Sequence, residues 1–353
     1  MVGVHDVWPA FCFKRSTMTE SMDERAREWD RERAALLDRP ISSLELTLKG
    51  TMLERLSERL YTELSDHGLV FRPPIYLSDE WGCPDGIARI GVPFYLADER
   101  LRRIEEELAG EVEDETESMR YLRHEAGHAF NYAYRLYDRA DWHSTFGSFA
   151  EPYQDNYFPD PFSTSYVRHV LGWYAQKHPD EDFAETFAVW LTPQLDWRAA
   201  YAGWGALEKL QYVDRVMAEV GSSVPEIPDA SEDDAGVGDL HQTLAEHYHP
   251  LGDALPMPHP AQFDADLLRI LPEVSSADAP AGGGAFLRAH LRQLVGRVAF
   301  WSGESTATVR AFANRLADRA DELRLAAPAD AAGALIAVTA FIMGVIMHWR
   351  IER

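Results

Sequence analysis

The stretch LRHEAGHAFNYAY, residues 122–134, sets His124 and His128 four apart with Glu125 beside the first. On a helix, residues four apart share a face, so both imidazoles can aim at one point and hold one metal ion. Glu125 lies about 100° further round the helix, toward the open side of such an ion. A general base must sit there to take a proton from a water at the metal. The flanks suit a buried helix: Met119, Leu122, Ala126, Ala129, Phe130 and Ala133 are apolar, and Gly127 and Ala129 are small enough for a neighbouring backbone to approach closely.

A catalytic zinc needs three protein ligands and one open position. The metzincin continuation requires a glycine three residues after the second histidine and a histidine six after it; here Asn131 and Tyr134 stand at those places. The stretch HPDEDFAETFAVWL, residues 178–191, offers an acid instead, with Glu181 and Glu185 on one helical face. Like charges at that spacing destabilise an exposed helix by about 0.2–0.5 kcal/mol. Burying them among Phe183, Phe187 and Trp190 without partners costs far more. A zinc ion for one glutamate and a ligand imidazole for the other would offset both costs.

HEAGH followed by EDFAE resembles the gluzincins, zinc peptidases whose third ligand is a glutamate. The resemblance implies Glu181 as ligand and Glu185 as the carboxylate behind a histidine. YAQKHPDEDFAE is similar to the matching segment of the anthrax lethal factor and Pro-Pro endopeptidase group, which implies that Tyr174, seven residues before Glu181, stabilises the transition state. Over residues 25–220 the wider pattern, from RPPIYLSDEW to HPDEDFAETFAVWL, resembles bacterial zinc-binding metallopeptidases. The implied protein is a zinc-dependent endopeptidase with one Zn2+, held by His124, His128 and Glu181, with Glu125 and Tyr174 as catalytic groups. Two rival readings are a zinc-binding interaction module with little or no peptidase activity and a zinc hydrolase of a non-peptide substrate.

Several elements must position these residues. The expected fold is α+β and mostly helical: a zincin-like core of a small sheet, the helix of the histidines and the helix of the glutamates, followed by a C-terminal helical subdomain. Residues 1–50 read as an N-terminal helical arm, 51–221 as the core, 222–284 as a Pro/Gly/Asp-rich linker and 285–353 as the subdomain. Periodicity and capping signals predict helices over 22–37, 52–69, 117–137, 164–176, 179–191 and 206–220. Three more follow, over 286–301, 306–325 and 330–349. Residues 86–96 read as an antiparallel edge strand able to pair with an extended peptide, and the aromatic loop 142–166 as a wall of the site.

The chain has 353 residues and a net charge of −24, with 58 acidic against 34 basic side chains. That balance argues against nucleic acid as a partner. Two cysteines are too few for a disulfide framework. The first residues lack a long apolar run after a basic start, so a cytoplasmic location is expected. Residues 331–349 are apolar enough to span a bilayer. They are also rich in Ala and Gly, and the preceding helices carry apolar faces that need a partner. The expectation is therefore a buried helix with no membrane role, and a protein partner is a candidate for the C-terminal helices.

Overall fold

The computed structural model describes residues 13–109, 112–153, 157, 159–225, 236–248, 260–274 and 282–351. The first twelve residues, expected to carry no leader, lie outside the described residues. So do 226–235, 249–259 and 275–281 of the segment read as a linker. Among the described residues helices dominate around one two-stranded sheet, an α+β chain in the coarse sense.

The N-terminal half builds one hydrophobic core. Helix α1 (Phe13–Leu37) begins earlier than its sequence suggested and contributes Trp29 and Leu36. Helix α2 (Met52–Asp66) starts where the Thr51 side chain accepts from Glu54 N, and it buries Leu53, Leu56, Leu60 and Leu64 as one stripe. Strand β1 (Ile75–Ser78) pairs in parallel with β2 (Ile90–Pro93), Ile75 opposite Ile90. Helix α3 (Glu99–Leu108) and α4 (Glu115–Ala133) follow. A capping box of Asp114 and Glu117 fixes the start of α4, and its residues from Leu122 to Ala133 are all buried.

Helix α5 (Ala140–Phe146) leads to α6 (Pro179–Leu191), which opens with Pro179 in its first turn and is buried along its whole length. After the short α7 (Trp197–Ala200), α8 (Ala206–Val220) covers the side of α6 with Leu210, Val213, Val216 and Met217. Within residues 222–284, α9 (Leu244–Tyr248) sends Leu244 and Tyr248 into this first core, and Ile41 N bonds to Gln242 O at 3.0 Å.

A second core holds the C-terminal helices. It joins α10 (Asp264–Ile270), α11 (Gly283–Ala289), α12 (Leu291–Ser302), α13 (Thr306–Glu322) and α14 (Ala331–Ile351) around Leu294, Val298, Phe312, Leu316 and Ile342. The helix expected over 286–301 is two helices, because His290 ends α11 and its ring nitrogen bonds back to Phe286 O.

Three expectations need correction. Residues 164–176 are not a helix. The amides of His169 and Val170 point at the Glu185 carboxylate, at 3.3 and 2.8 Å, instead of at carbonyls four residues back. Gly172 and Trp173 then turn left-handed, leaving only a 3-10 turn over Tyr174–Gln176. Residues 86–96 are not one antiparallel edge strand. Only Ile90–Pro93 is extended; β1 takes one side in parallel, and Gly82 takes both backbone groups of Gly91 on the other, at 2.7 and 3.3 Å. Helix α14 is not wholly buried. Val338, Ile342, Ile346 and Trp349 pack inward, while Ile336 is 72% exposed and Met347, three turns on, is exposed too. Residues Ala331–Arg350 are long and apolar enough to cross a membrane by length and composition, with one face packed in the bundle.

Candidate metal centre

The contact between α4 and α6 creates the centre. A Cβ on Gly127 would fall 2.7 Å from Ala184 Cα and 2.9 Å from Ala184 O, so the two helices touch backbone to backbone there. One turn earlier on α6, Glu181 then reaches both imidazoles. Its Oε2 lies 3.1 Å from His124 Nε2 and 3.2 Å from His128 Nε2, and the two Nε2 atoms are 3.1 Å apart. All three side chains are buried, and the group could hold a metal ion.

The outer nitrogens decide what the inner ones can do. His124 Nδ1 contacts Glu185 Oε1 at 2.8 Å, and His128 Nδ1 contacts Asp180 Oδ2 at 3.0 Å. A carboxylate only accepts, so each Nδ1 carries the proton and each Nε2 of a neutral ring presents a lone pair. Two lone pairs and a carboxylate oxygen thus converge with no donor among them, an arrangement that a cation completes. Their spacing is close to the roughly 3.3 Å between donors around a tetrahedral ion with bonds of about 2.0–2.1 Å. Two imidazoles and one carboxylate leave a fourth position open.

Without a cation, a proton competes for these nitrogens. Burial disfavours the imidazolium of His124, but Glu181 and Glu185 outweigh it and raise its pKa to about 10. His128 is raised well above its ordinary value by Asp180 and Glu181, again against burial. Burial opposes ionisation of Glu181 too, yet the two histidines hold its pKa well below the usual carboxylate range. Asp180 and Glu185 are likewise lowered despite burial, through the histidines and other donors.

Glu125 is 6% exposed and faces the cleft. Burial raises its pKa, the neighbouring histidines partly offset this, and Glu181 and Asp180 add to it. Tyr174 lines the same cleft, its ring centroid 5.7 Å from that of His124. Its phenol pKa is raised by burial first and then by Glu181 and Glu125. The structure therefore brings together all six residues singled out in the sequence: His124, Glu125, His128, Tyr174, Glu181 and Glu185.

Two supports escaped the sequence reading. Asp180, 1% exposed, holds His128 and also accepts from Asn131 Nδ2 and Tyr132 OH, both at 2.6 Å. Asn131 and Tyr132 stand three and four after His128, on the face where a carboxylate behind that histidine must lie, and this spacing was the available signal. Arg123 makes a buried two-point ion pair with Glu63, at 2.7 and 2.8 Å, tying α4 to α2 beside His124.

The centre opens into a cleft of about 1010 Å³. One wall is aromatic, with Trp81 stacked on Tyr121 at 5.5 Å and with Tyr153 and Tyr157 from the loop after α5. Residues 154–156 and 158 of that loop lie outside the described residues. Further lining comes from the C-terminal helices: Gly303, Glu304 and Ser305 between α12 and α13, Thr306 at the start of α13, and Arg350 of α14. The two bodies meet where Trp173 packs on Phe300 at 5.4 Å and where Arg292 bonds Asp114 and Glu117. Arg350 also reaches Tyr157 O at 3.2 Å. Comparison with protein-family models, with curated proteins and with solved structures found no match to this chain.

Proposed function

We propose that the chain is a zinc-dependent endopeptidase of the gluzincin type, acting on a peptide or protein substrate. One observation carries the reading: three metal-ligand atoms, His124 Nε2, His128 Nε2 and Glu181 Oε2, converge in a buried centre while Glu125 and Tyr174 line the cleft beside it. A module that only binds metal needs neither of those two groups.

His124 Nε2, His128 Nε2 and Glu181 Oε2 would hold the ion. When bound, zinc supplies Lewis acidity, which brings the pKa of a water in its open position toward neutrality. Glu125 takes the proton of the attacking water and delivers it to the leaving amide nitrogen. Its burial raises its pKa and so makes the carboxylate a stronger base. The Tyr174 hydroxyl donates to the carbonyl oxygen as negative charge develops, a donor typically worth about 100- to 1,000-fold in turnover. Asp180 and Glu185 keep the ring protons on Nδ1 and the Nε2 lone pairs inward.

One backbone edge supports the reading of an extended substrate. The antiparallel pairing of Gly82 with Gly91 turns the backbone groups of Trp81 and Cys83 the other way. Both residues line the cleft, so residues 81–83 would serve as the pairing edge that the sequence had suggested for residues 86–96.

The test joins metal analysis to substrate trapping. Protein purified without added metal should carry close to one zinc per chain. Glu125→Gln should keep that zinc and retain proteins that the parent form cleaves. A negligible zinc content that added zinc does not restore would remove the metal centre from the reading. Full zinc with the same proteins captured intact by both forms would favour a binding module instead.

A further inference from the structure

Lys177 stands three residues after Tyr174, across the 3-10 turn over Tyr174–Gln176. Such a turn has three residues per revolution, so side chains at i and i+3 lie over one another. The geometry follows. Lys177 N bonds to Tyr174 O at 3.0 Å, and Lys177 Nζ lies 3.2 Å from the Tyr174 hydroxyl oxygen. The ammonium also sits 4.9 Å from the centroid of the Tyr174 ring and 5.6 Å from that of Tyr153, so two aromatic faces flank it. The Glu80 carboxyl is raised by burial and by Asp79 and is drawn back down by the Lys177 charge.

An ammonium has three protons to donate and no lone pair. In its bond with Lys177, the Tyr174 oxygen must therefore be the acceptor. The phenol keeps a single proton, and that proton has to be donated elsewhere. The Tyr174 ring lies 5.7 Å from that of His124 and lines the same cleft as His124 and Glu181, so the metal centre lies within the hydroxyl's reach. A hydroxyl that accepts a charge-assisted bond is also polarised into a stronger donor.

We propose that Lys177 is a positioning residue that works through Tyr174, and this rests on the peptidase reading above. It occupies the phenol oxygen as acceptor, so the hydroxyl proton is presented to the reacting carbonyl oxygen. Its charge strengthens that donor as the oxyanion forms. Lys177 touches neither the metal ligands nor the scissile bond in this role.

The test uses the full-length zinc-loaded protein with Lys177→Met, Lys177→Arg, Tyr174→Phe and the Lys177→Met/Tyr174→Phe double variant. The probe is a pool of random-sequence synthetic peptides read by mass spectrometry, with kinetics then measured on its fastest-cleaved member. Lys177→Met should lower kcat about ten-fold, the scale of one charge-assisted hydrogen bond acting through another group, with KM and zinc content unchanged. Lys177→Arg should recover most of the loss. In the Tyr174→Phe background, Lys177→Met should cost nothing more.

A second measurement needs no substrate: the 13Cζ resonance of Tyr174, which reports the hydrogen bonding of its phenol oxygen. Lys177→Met should move it, and Lys177→Arg should leave it near the parent position. An unmoved resonance in Lys177→Met, or an equal kinetic loss with and without the Tyr174 hydroxyl, would overturn the proposal. Should the parent protein cleave nothing in the pool, the peptidase reading suffers, and the resonance still decides whether Lys177 orders Tyr174.

Discussion

Replacing Gly127 with alanine tests the geometry that makes the centre. The new methyl would sit 2.7 Å from Ala184 Cα, whereas ordinary contact begins at 3.4 Å, so α6 must retreat by about 0.7 Å. The obstacle is helix backbone, which cannot rotate away as a side chain can. Glu181 lies less than one turn from Ala184, so its carboxylate moves with the helix. Ligand distances tolerate only about 0.2 Å before affinity suffers. Zinc affinity should fall at least as far as it does on loss of a supporting hydrogen bond, about 10- to 100-fold. Overpacking costs about 1–3 kcal/mol, while removing a glycine from a helix interior returns up to about 1 kcal/mol. A net loss of about 0–3 kcal/mol follows, with the shift at the metal ligands coming on top of it. Competition with a chelator of known affinity measures the zinc affinity and thermal unfolding of the metal-free form the stability. Gly296→Ala in α12 is the control, because a Cβ there meets nothing within 4 Å. It should leave zinc affinity alone and hold or raise stability. If Gly127→Ala binds zinc as the parent does and unfolds like the control, the close approach of α4 and α6 does not set the centre.

Other outcomes follow from the same contacts. Glu181→Ala should abolish zinc binding, whereas Glu185→Ala should weaken it about 10- to 100-fold; elemental analysis and chelator competition separate the two, and a reversed order would exchange their roles. Tyr174→Phe should keep zinc, stability and KM while kcat falls about 100- to 1,000-fold; an unchanged rate on a trapped substrate would make Tyr174 a packing residue. The pH dependence of the metal-free protein has a definite sign. The pKa of His124 is raised in the folded state from 6.5 to about 10, so its contribution is fully present below pH 6.5 and is lost as pH rises through about 10. Chelated protein should therefore unfold more easily at pH 10 than at pH 6, and His124→Gln should flatten that slope. Zinc binding, which needs neutral imidazoles, should strengthen over the same interval.

What the sequence carried, and what it did not, divides along the range of the interactions. The pairs His124/His128 and Glu181/Glu185 are i,i+4 relations within single helices, and helical periodicity is enough to read them. The leucine stripe of α2 and the limits of α8 are legible for the same reason. Residues 164–176 carried helix-like composition, yet their amides serve Glu185, a partner no local pattern reveals. Asp180 is one of three acids in the first turn of α6, and its role follows only from the three donors that α4 brings to it from another part of the chain. The pairing of Gly82 with Gly91 joins residues across an irregular turn, and the alternation of residues 86–96 gave no hint of it. Leu244 and Tyr248 lie among polar and Pro-rich neighbours, so their place in the first core follows from contacts such as Tyr248 with Glu105.

The cleft is bounded by two bodies with separate hydrophobic cores, and only one of them carries the centre. Its width is therefore a property of an interface. A small rotation of the C-terminal bundle about the Trp173–Phe300 and Arg292 contacts would change the room above the ligands without disturbing any of them. Substitutions in α12 to α14 would thus alter which molecules fit the cleft while leaving His124, His128 and Glu181 in place. On the proposed reading, part of the wall that would meet a substrate therefore lies on a different stretch of the chain from the groups at the centre.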